Sequence, residues 1–418
     1  ALEDLRQHLG GVLHVADGPP ATALLSAARE LGASVVVATS DATPYGLARD
    51  ERVAEVLASE GIELQLVDAN YAVPPGVVQT QAGAPAKVFT AFRRGWEAVG
   101  YPAPYASAAG LAVVALPGGL EPSVLVERAQ AEVHPWLAGL DLGAPASLPE
   151  PTAAAATAQL ARFTAEALAD YPDDRNVPGV EGTSRLSPYL RFGLIHPRSV
   201  LAAVPGADDG SRVFRSEICW REFYADVLYH QPRSAVESLQ PALKGLAVED
   251  GQAARAAFAT WTRGETGYPI VDAGMRQLLE EGWMHNRVRM LVASFLVKSL
   301  HLDWRWGAAW FMLKLVDGDL ASNQHGWQWT AGTGTDASPF HRIFNPTVQA
   351  ERFDPEGRYV KRYVPELAAV EAPACLQPGG GGGMLAGSYP APMVDHATER
   401  AEALARFASA RDAYRASR

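Results

Sequence analysis

Residues 182–193, GTSRLSPYLRFG, have the composition of an anion-binding turn. Ser187 followed by Pro188 has the form of an N-cap and a first helical residue, so the next backbone N–H groups would lie unpaired at the positive end of a helix. Hydroxyl donors and one guanidinium flank that turn: Thr183, Ser184, Ser187 and Arg185. This set suits a diphosphate, although the segment alone also fits an ordinary capped helix behind a polar loop.

A second group of residues lies on one predicted helix, within residues 214–230. Spacings of three and four residues place an acid, a cation, two aromatic rings and an aliphatic side chain on one stripe. Its members are Glu217, Trp220, Arg221, Tyr224 and Leu228. A core face would exclude Glu and Arg, and a solvated face would more often hold long charged side chains alone. The stripe therefore favours either the wall of a polar cavity or a buried Glu–Arg pair.

Residues 282–298 form a third candidate segment, because their C-terminal half is too apolar to be exposed. Two pairs lie four residues apart near the other end: Asn286 with Met290, and Trp283 with Arg287. No HExxH pattern surrounds His285, so a metal site there is disfavoured. We expect a buried, hydrogen-bonded histidine instead.

Of the four candidate segments, 316–336 has the composition least typical of a hydrophobic core. Asp317 and Asp319 flank a glycine, Asn323 follows four residues later, and two tryptophans come next. An EF-hand calcium loop would need a glutamate and a ligand spacing that are missing. The residues instead favour hydrogen bonds to the edge of a flat heterocycle and to a sugar hydroxyl.

Residues 1–70 alternate helical and strand patterns, which predicts an α/β domain with a Rossmann-like parallel sheet covered by helices on both faces. The predicted helices are LEDLRQHL, PATALLSAARELG and ARDERVAEVLASEG, and the predicted strands are ASVVVATS and IELQLVDA. ASVVVATS is apolar enough to be a fully buried strand. Because the sequence begins on a helix, we expect the first strand of this sheet to be missing.

From Ala153 onward the apolar spacing near 3.6 predicts an all-α domain. The predicted helices cover 153–169, 188–204, 211–230, 252–262, 269–282, 284–300 and 303–316. Five glycines at 379–383 predict a flexible break before a last helix at about 396–415. The predicted division is an N-terminal domain at 1–95, a connection at 96–152 that is rich in Ala, Pro and Gly, and a helical domain at 153–418.

The chain has 418 residues and 44.6 kDa, enough for two or three domains. Its two cysteines exclude a disulfide framework and a multi-cysteine metal site, and they suit a reducing compartment. No apolar stretch approaches the roughly 20 residues of a membrane span, and the first residues are not a signal peptide. We therefore expect a cytoplasmic protein without membrane contact.

The net charge of −11 argues against a nucleic-acid binder held by overall positive charge. Residues 171–365 nevertheless contain as many basic as acidic side chains, so the negative excess lies outside them and a local basic groove remains open. Eight of the ten tryptophans also fall in this range, and a packed helical core is the simpler explanation for that bias.

Together these segments resemble the photolyase/cryptochrome family, and within it the bacterial class I cyclobutane pyrimidine dimer photolyases. The motifs occur in the family's order: EGTSRLSPYLRFG, EICWREFY, TGYPIVDAGMRQL, GWMHNRVRM, FLVKSLHLDWRWG, LVDGDLASNQHGWQWTAGTGTDASPFHRIFNP and YPAPMVDH. The similarity is closest over 160–365 and extends to 17–96 through DGPPATAL, ARDERV and KVFTAF. It implies that the first domain is of the antenna type and that the helical domain binds FAD and damaged DNA.

The resemblance implies a folded-back FAD in the helical domain. Its phosphate side matches Tyr171, Thr183, Ser184, Arg185, Leu186 and Ser187. Its remaining pocket matches Arg221, Asn286, Arg289, Asp317, Asp319 and Asn323. In the family pattern Arg289 pairs with Asp317, and Asn323 faces flavin N5. A second, antenna chromophore of folate or deazaflavin type occurs in the family, and this sequence does not identify it.

The implied substrate is UV-damaged DNA, from which the family flips a pyrimidine dimer into a cavity. Arg175 matches a residue that holds the phosphate of the lesion, and Trp220 and Trp329 match two aromatic walls. The other dimer contacts match Glu217, Asn286, Arg287 and Met290. Stacking on tryptophan contributes about 1–3 kcal/mol per base, and a glutamate can hydrogen-bond the dimer and stabilise its radical anion.

Catalytic roles are implied for Glu217, for Asn323 and for a tryptophan relay that begins at Trp327 and continues to Trp304. A third relay tryptophan would precede Trp261 by about ten residues, where positions 249–251 read Glu-Asp-Gly. The residues that could replace it are Trp261, Trp306 and Trp310.

The implied function is that of a deoxyribodipyrimidine photo-lyase, acting as a monomer. In light, reduced FAD would give one electron to the dimer, the cyclobutane ring would open and the electron would return. The alternative is a cryptochrome-like blue-light signalling flavoprotein without repair activity. The lesion-pocket residues favour repair, because signalling alone gives no reason for them.

Overall fold

The computed structural model of the chain describes residues 1–67, 70–105, 143, 145–336, 342–382 and 387–418. Most of the predicted connection at 96–152 therefore lies outside the described residues. Among the residues described, no helix is both long enough and apolar enough to cross a membrane.

The first part of the chain alternates helices and strands. Its elements are α1 (Leu2–His8), α2 (Pro20–Leu31), β1 (Val35–Thr39), α3 (Pro44–Ala58), β2 (Glu63–Val67) and α4 (Phe89–Val99). Thr43 begins α3 because its hydroxyl accepts the Gly46 N–H at 3.0 Å, with Pro44 in the first helical position. β1 and β2 pair in parallel, and in the described part of the chain they make up the whole sheet.

The prediction of a fully buried strand between two helical layers is wrong for β1. Val36 and Leu64, paired across the sheet, pack with α2 and α3 around the buried Leu57. Val35 and Val37 point the other way, and Val37 is 59% exposed. The physical reason is that α2 and α3 cover one face only, and no other described element packs on the opposite face.

The second part of the chain is helical. Its α-helices are α5 (Ala153–Glu166), α6 (Tyr171–Asp174), α7 (Ser187–Arg191), α8 (Pro197–Ala203), α9 (Asp209–His230), α10 (Gly251–Arg263), α11 (Pro269–Glu281), α12 (Asn286–Lys298), α13 (Trp304–Lys314), α14 (Leu320–Ala331), α15 (Pro346–Phe353), α16 (Arg358–Tyr363) and α17 (His396–Ala416). Side-chain oxygens accept N–H groups of the first turn at several starts: Thr152, Asp208, Asp303, Asp319, Asn345 and Asp395.

The single helix predicted at 188–204 is wrong, because the structure divides it into α7 and α8. Gly193 takes a left-handed φ of 69° after α7, and Pro197 cannot donate a backbone hydrogen bond. His196 then starts α8, its ring nitrogen accepting the Arg198 N–H at 3.1 Å.

Other differences are smaller. The predicted helix 153–169 ends at Glu166, 284–300 is limited to Asn286–Lys298, and 303–316 to Trp304–Lys314. The glycine run forms a 3-10 turn over Pro378–Gly382, in which the Gly379 N–H donates to the Gly267 carbonyl at 2.8 Å. The described part of that run is therefore packed against the helical domain rather than extended as a linker.

Two large hydrophobic cores support the helical part. One is built by α10 to α16 and includes Trp261, Trp304, Trp310 and Trp327. The other joins α4, α5, α7, α8 and α9 and includes residues 72–96 of the N-terminal half. The predicted border at 95/96 falls inside α4, which packs on α9. The division into domains remains a prediction.

Glu222 on α9 fastens the segment before α4 to the helical domain. Its fully buried carboxylate accepts the Ala72 N–H at 2.5 Å, the Val73 N–H at 3.1 Å and the Trp96 indole N–H at 2.5 Å. Burial raises the pKa of this carboxyl, and the three donors oppose that shift. One side chain thus satisfies three buried donors that have different positions in the sequence.

We expect Glu222→Gln to lower the free energy of unfolding by about 1–3 kcal/mol, because the amide turns an N–H group toward a buried donor. Urea unfolding followed by circular dichroism measures this loss. Glu97→Gln, on the exposed side of α4, is the control and should change stability by less than about 0.5 kcal/mol. Equal stability of the two variants would contradict the assigned role of Glu222.

Candidate functional site

A cavity of about 520 Å³ opens between α7, α9, α12, α13 and α14. It brings together most of the residues that the sequence singled out: Tyr171, Arg175, Ser184, Ser187, Glu217, Trp220, Arg221, Asn286, Arg287, Arg289, Met290, Asp317, Asp319, Asn323, Trp327 and Trp329. Four residues of the predicted set do not line it: Thr183, Arg185, Leu186 and Trp304.

One wall of the cavity carries an ion pair between Glu217 and Arg175, 2.8 Å apart. The polar-cavity alternative agrees with the structure, except that Leu228 of the α9 stripe does not line the cavity. The stripe does not form its own Glu–Arg pair, because Glu217 pairs with Arg175, and the two side chains remain 29% and 25% exposed. Burial raises the pKa of Glu217, and the Arg175 guanidinium opposes that shift. Arg221 instead donates to the Asn70 carbonyl at 2.8 Å and lies over the Tyr71 ring.

Another part of the wall carries a second ion pair. Arg289 donates to Oδ2 of Asp317 at 2.8 Å, and Asp317 is almost fully buried. Oδ1 of Asp317 is also buried, and within the described residues it has no hydrogen-bond partner. A buried acceptor at a cavity wall is suited to a ligand N–H or O–H group.

The residues after Asp317 are held by the start of α14. Asp319 caps this helix, accepting the Ser322 N–H at 2.8 Å. Asn323 donates its amide N–H to the Ala308 carbonyl of α13 and to Gln324, each at 2.9 Å. These bonds fix both side chains at the cavity wall.

The predicted anion turn differs from its expected form. α7 begins at Ser187 after Leu186, without a side-chain cap, and its single turn gives little dipole. The Ser187 hydroxyl accepts the Trp283 indole N–H at 3.3 Å instead of capping the helix. Leu186 is buried in the core.

Arg185 is engaged away from the cavity. Its guanidinium donates to Glu281 at 2.9 Å and lies 3.6 Å from the centre of the Trp283 ring. Arg185 also has a left-handed φ of 52°, which is uncommon for a residue with a side chain. The cavity-facing hydroxyls of Ser184 and Ser187 are therefore better placed for a phosphate than the Arg185 side chain.

His285 is buried and caps α12, its Nδ1 accepting the Arg287 N–H at 3.1 Å. Nε2 is buried without a partner among the described residues, so the expectation of a fully hydrogen-bonded ring is met on one side only. Burial and the surrounding arginines lower the pKa of His285 to about 3, so the ring is neutral at physiological pH. The cap directs Asn286, Arg287 and Met290, in the first turns of α12, to the cavity.

Trp327 lies at the cavity wall, and its ring packs on Gly307 so closely that a Cβ there would overlap it. Trp304 is one turn before Gly307 on α13 and therefore on the same helix face. Its indole N–H donates to the Ser238 hydroxyl at 3.3 Å. Trp261 also contacts Trp327, with 6.2 Å between ring centroids.

The structure adds residues that sequence reasoning missed. The Phe89 ring stacks on Trp220, and Arg342 and Arg352 lie near Arg287. Burial lowers the pKa of Arg287 first, and the positive charges of Arg175, Arg352 and Arg342 lower it further. Sequence spacing could not find this arginine cluster, because its members come from four separate segments.

Comparison with known proteins shows which family the chain resembles. The family model described as DNA photolyase matches residues 1–108, and the model described as the FAD binding domain of DNA photolyase matches residues 214–409. A deoxyribodipyrimidine photo-lyase of Vibrio cholerae is 38% identical over 94% of this chain and 82% of its own.

Solved structures agree with these matches. A class III photolyase from Agrobacterium tumefaciens superposes with a TM-score of 0.85 and 36% identity, over 99% of this chain and 87% of its own. A cryptochrome from Synechocystis gives a TM-score of 0.81 with 26% identity, over 97% of this chain and 86% of its own.

The raised pKa of Glu217 predicts a pH-dependent stability. Between the ordinary pKa of glutamate and the raised folded value, the folded protein binds more protons than the unfolded chain, so stability falls as pH rises. A glutamine does not titrate. The free energy of unfolding of Glu217→Gln, relative to the unchanged protein, should therefore increase as pH rises through that window.

Urea unfolding at a series of pH values tests this expectation. Glu97→Gln, which removes an exposed carboxylate from α4, is the matched control for the loss of one negative charge. Parallel pH profiles of Glu217→Gln and the unchanged protein would show that Glu217 keeps an ordinary pKa.

Proposed function

Because the chain belongs to the photolyase/cryptochrome family, we propose that it is a deoxyribodipyrimidine photo-lyase that uses FAD and light to repair UV-damaged DNA. The observation that carries this proposal is the shared cavity. The side chains proposed for the flavin, Asp317 and Asn323, line the same hollow as those proposed for the lesion, Glu217, Trp220 and Trp329.

The residues at the cavity wall fit FAD. The unpartnered Oδ1 of Asp317 is an acceptor for an N–H of the flavin ring, and Arg289 holds the other oxygen in place. We propose that the remaining cofactor contacts come from Tyr171, Ser184, Ser187, Arg221, Asn286, Asp319 and Asn323, which line the cavity. Thr183, Arg185 and Leu186 would support this region from outside the cavity.

Bound FAD supplies the chemistry of the reaction, because its reduced form in blue light can lend an electron to a cyclobutane dimer and recover it after the ring opens. The protein binds and orients the cofactor and the damaged DNA. Asp317 and Arg289 keep a buried charge pair beside the flavin site, and Asn323 presents a neutral amide held by the Ala308 carbonyl.

The lesion would enter the same hollow as a pyrimidine dimer flipped out of the DNA duplex. Trp220 and Trp329 offer aromatic surfaces for stacking, worth about 1–3 kcal/mol per base. Glu217 can accept or, when protonated, donate a hydrogen bond to the dimer, and its raised pKa favours the protonated form more than in an exposed glutamate. Asn286, Arg287 and Met290 complete the proposed pocket.

Arginines at the cavity are proposed to hold the DNA backbone. Arg175 and Arg287 lie at its wall, and Arg342 and Arg352 add positive charge nearby. Their contribution should weaken with added salt, because phosphate binding releases counterions. This local charge explains how a chain with a net charge of −11 can bind DNA.

Trp327 and Trp304 are proposed as the inner members of an electron relay. The packing of Trp327 on Gly307, one turn from Trp304, supports their adjacency. For the outer member the structure offers one chain of rings, from Trp261 through Phe258 to Trp306, with centroids 5.7 Å and 5.5 Å apart. Trp310 lies further from Phe258, at 6.5 Å.

Finer assignments belong to the same proposal. The motifs favour class I and the Agrobacterium structure supports class III, so we limit the proposal to cyclobutane dimer repair. We also propose three regions: an antenna-type, Rossmann-like N-terminal domain at 1–95, a connection at 96–152 and a helical domain at 153–418. We further propose that the protein is a monomer and is cytoplasmic. The cryptochrome alternative has the Synechocystis similarity in its favour, and the lesion-pocket side chains favour repair.

Repair is tested by mixing purified protein with chemically reduced flavin and a thymine-dimer oligonucleotide, in blue light and in darkness. We expect loss of the dimer in light only, measured by chromatography of the digested oligonucleotide. Binding of FAD without repair in light would favour the signalling alternative, and repair in darkness would reject a photochemical mechanism.

Asp317→Asn tests the proposed flavin contact. The amide keeps the size but leaves Arg289 without a charged partner and offers a weaker acceptor, so we expect at least about tenfold weaker FAD binding. The ratio of flavin to protein absorbance after gel filtration measures retention. Asp303→Asn, which keeps the cap of α13 and removes an ion pair with Arg305 outside the cavity, is the control. Equal FAD content in both variants would place the flavin elsewhere.

A further inference from the structure

Among the described residues, one aromatic ring lies parallel to the Trp220 indole. The Phe89 ring lies parallel to the indole, with 3.7 Å between centroids and 6° between planes. Phe223 and Tyr224 meet the indole at steeper angles, 70° and 45°. Since Trp220 also lines the cavity, the surface that it offers to a ligand lies on the side that Phe89 leaves open.

The stacked pair has a geometry that the surroundings must impose. Aromatic rings prefer offset or edge-to-face arrangements, so two parallel rings at this centroid separation do not adopt their own best contact. Phe89 is buried at the start of α4, and its backbone N–H donates to the Asp336 carboxylate at 2.9 Å. The position of the Phe89 ring is therefore fixed by this backbone hydrogen bond as well as by packing.

The same loop that holds Phe89 follows the helix of the second aromatic wall. Trp329 is near the end of α14, and the chain continues from there to Thr335 and Asp336. The Thr335 hydroxyl donates to the Lys87 carbonyl at 2.5 Å. Asp336 has a left-handed φ of 47°, a conformation that side-chain-bearing residues rarely adopt and that points to a constraint on this loop.

Residues 87–89 thus connect the two walls. The backbone of this segment is hydrogen-bonded to the loop after α14, the helix that bears Trp329, and the Phe89 ring stacks on Trp220 of α9. A displacement of this segment would change the position of Trp220 relative to Trp329. α9 and α14 also pack directly on each other, and residues 87–89 add a second connection between them, next to Trp220.

We propose that Phe89 is a positioning residue for damage recognition, and that residues 87–89 with Asp336 set the separation of the aromatic walls at Trp220 and Trp329. This inference rests on the proposed function, since it assumes that a flipped-out dimer stacks in this hollow. The proposal predicts that a change at Phe89 weakens the binding of damaged DNA only. The bases of undamaged duplex stay stacked and do not enter the cavity, so undamaged DNA contacts only the arginines.

The test compares Phe89→Leu with Phe92→Leu. Both residues are buried on the same face of α4, and Phe92 contacts Phe223, with 5.3 Å between centroids, but not Trp220. The two variants therefore lose the same ring from the same core. Affinity for dimer-containing and for undamaged oligonucleotides is measured in the dark by fluorescence anisotropy, together with FAD content and the melting temperature.

We expect Phe89→Leu to bind the dimer about tenfold more weakly, with unchanged affinity for undamaged DNA and unchanged FAD content, because part of the stacking energy is lost. Phe89→Tyr, which keeps the ring, should restore the affinity to within about twofold. Phe92→Leu should keep the preference for damage. An equal preference in Phe89→Leu and Phe92→Leu would overturn the proposal.

Asp336→Ala provides a second test, which leaves the hydrophobic cores unchanged. Asp336 is exposed, so its loss should leave the fold intact while it frees the Phe89 N–H. We expect about threefold weaker dimer binding at unchanged melting temperature, and unchanged dimer binding would overturn the link between the walls. If the unchanged protein itself does not prefer damaged DNA, the proposed function fails, which is a result distinct from either of these.

Discussion

The structure depends on keeping a polar hollow open inside a helical core that otherwise excludes water. Close packing would fill such a space, and burying a charge without a partner costs several kcal/mol per ion, on the order of the stability of a whole domain. The chain meets both conditions by pairing: Arg175 with Glu217 and Arg289 with Asp317. Each pair neutralises a carboxylate at the wall, so these two carboxylates can border the cavity without an unpaired negative charge.

The pairs are effective because separate elements hold them. Glu217 lies in the long helix α9, which Glu222 fastens to residues 72 and 73 one turn further on. Arg289 is oriented from α12, where its Nε also donates to the Met284 carbonyl at 2.7 Å. The cavity is therefore bounded by the more rigid parts of the fold, which is the condition for a site that must hold two planar groups in fixed geometry.

Sequence reasoning reached the cavity residues because helical spacing is local. The α9 stripe and the Asp317–Asn323 segment each follow from a few consecutive turns, and the structure brings them to one hollow. It failed where the outcome depended on partners distant in sequence. The sequence predicts that Ser187 caps a helix, but its hydroxyl accepts a hydrogen bond from the Trp283 indole N–H, almost a hundred residues later. β1 was expected to be buried, yet an apolar strand is buried only if a second layer of structure covers it. Phe89 lies in the motif KVFTAF, but nothing in that motif reveals that its ring meets Trp220.

The arginines beside the cavity show how a negative chain can still attract DNA. Arg175, Arg342 and Arg352 lower the pKa of Arg287, which means that their positive charges repel the Arg287 guanidinium in the free protein. A phosphate placed among them would relieve the repulsion and add charge-assisted hydrogen bonds. A local group of arginines can therefore attract phosphate in a chain whose net charge is −11.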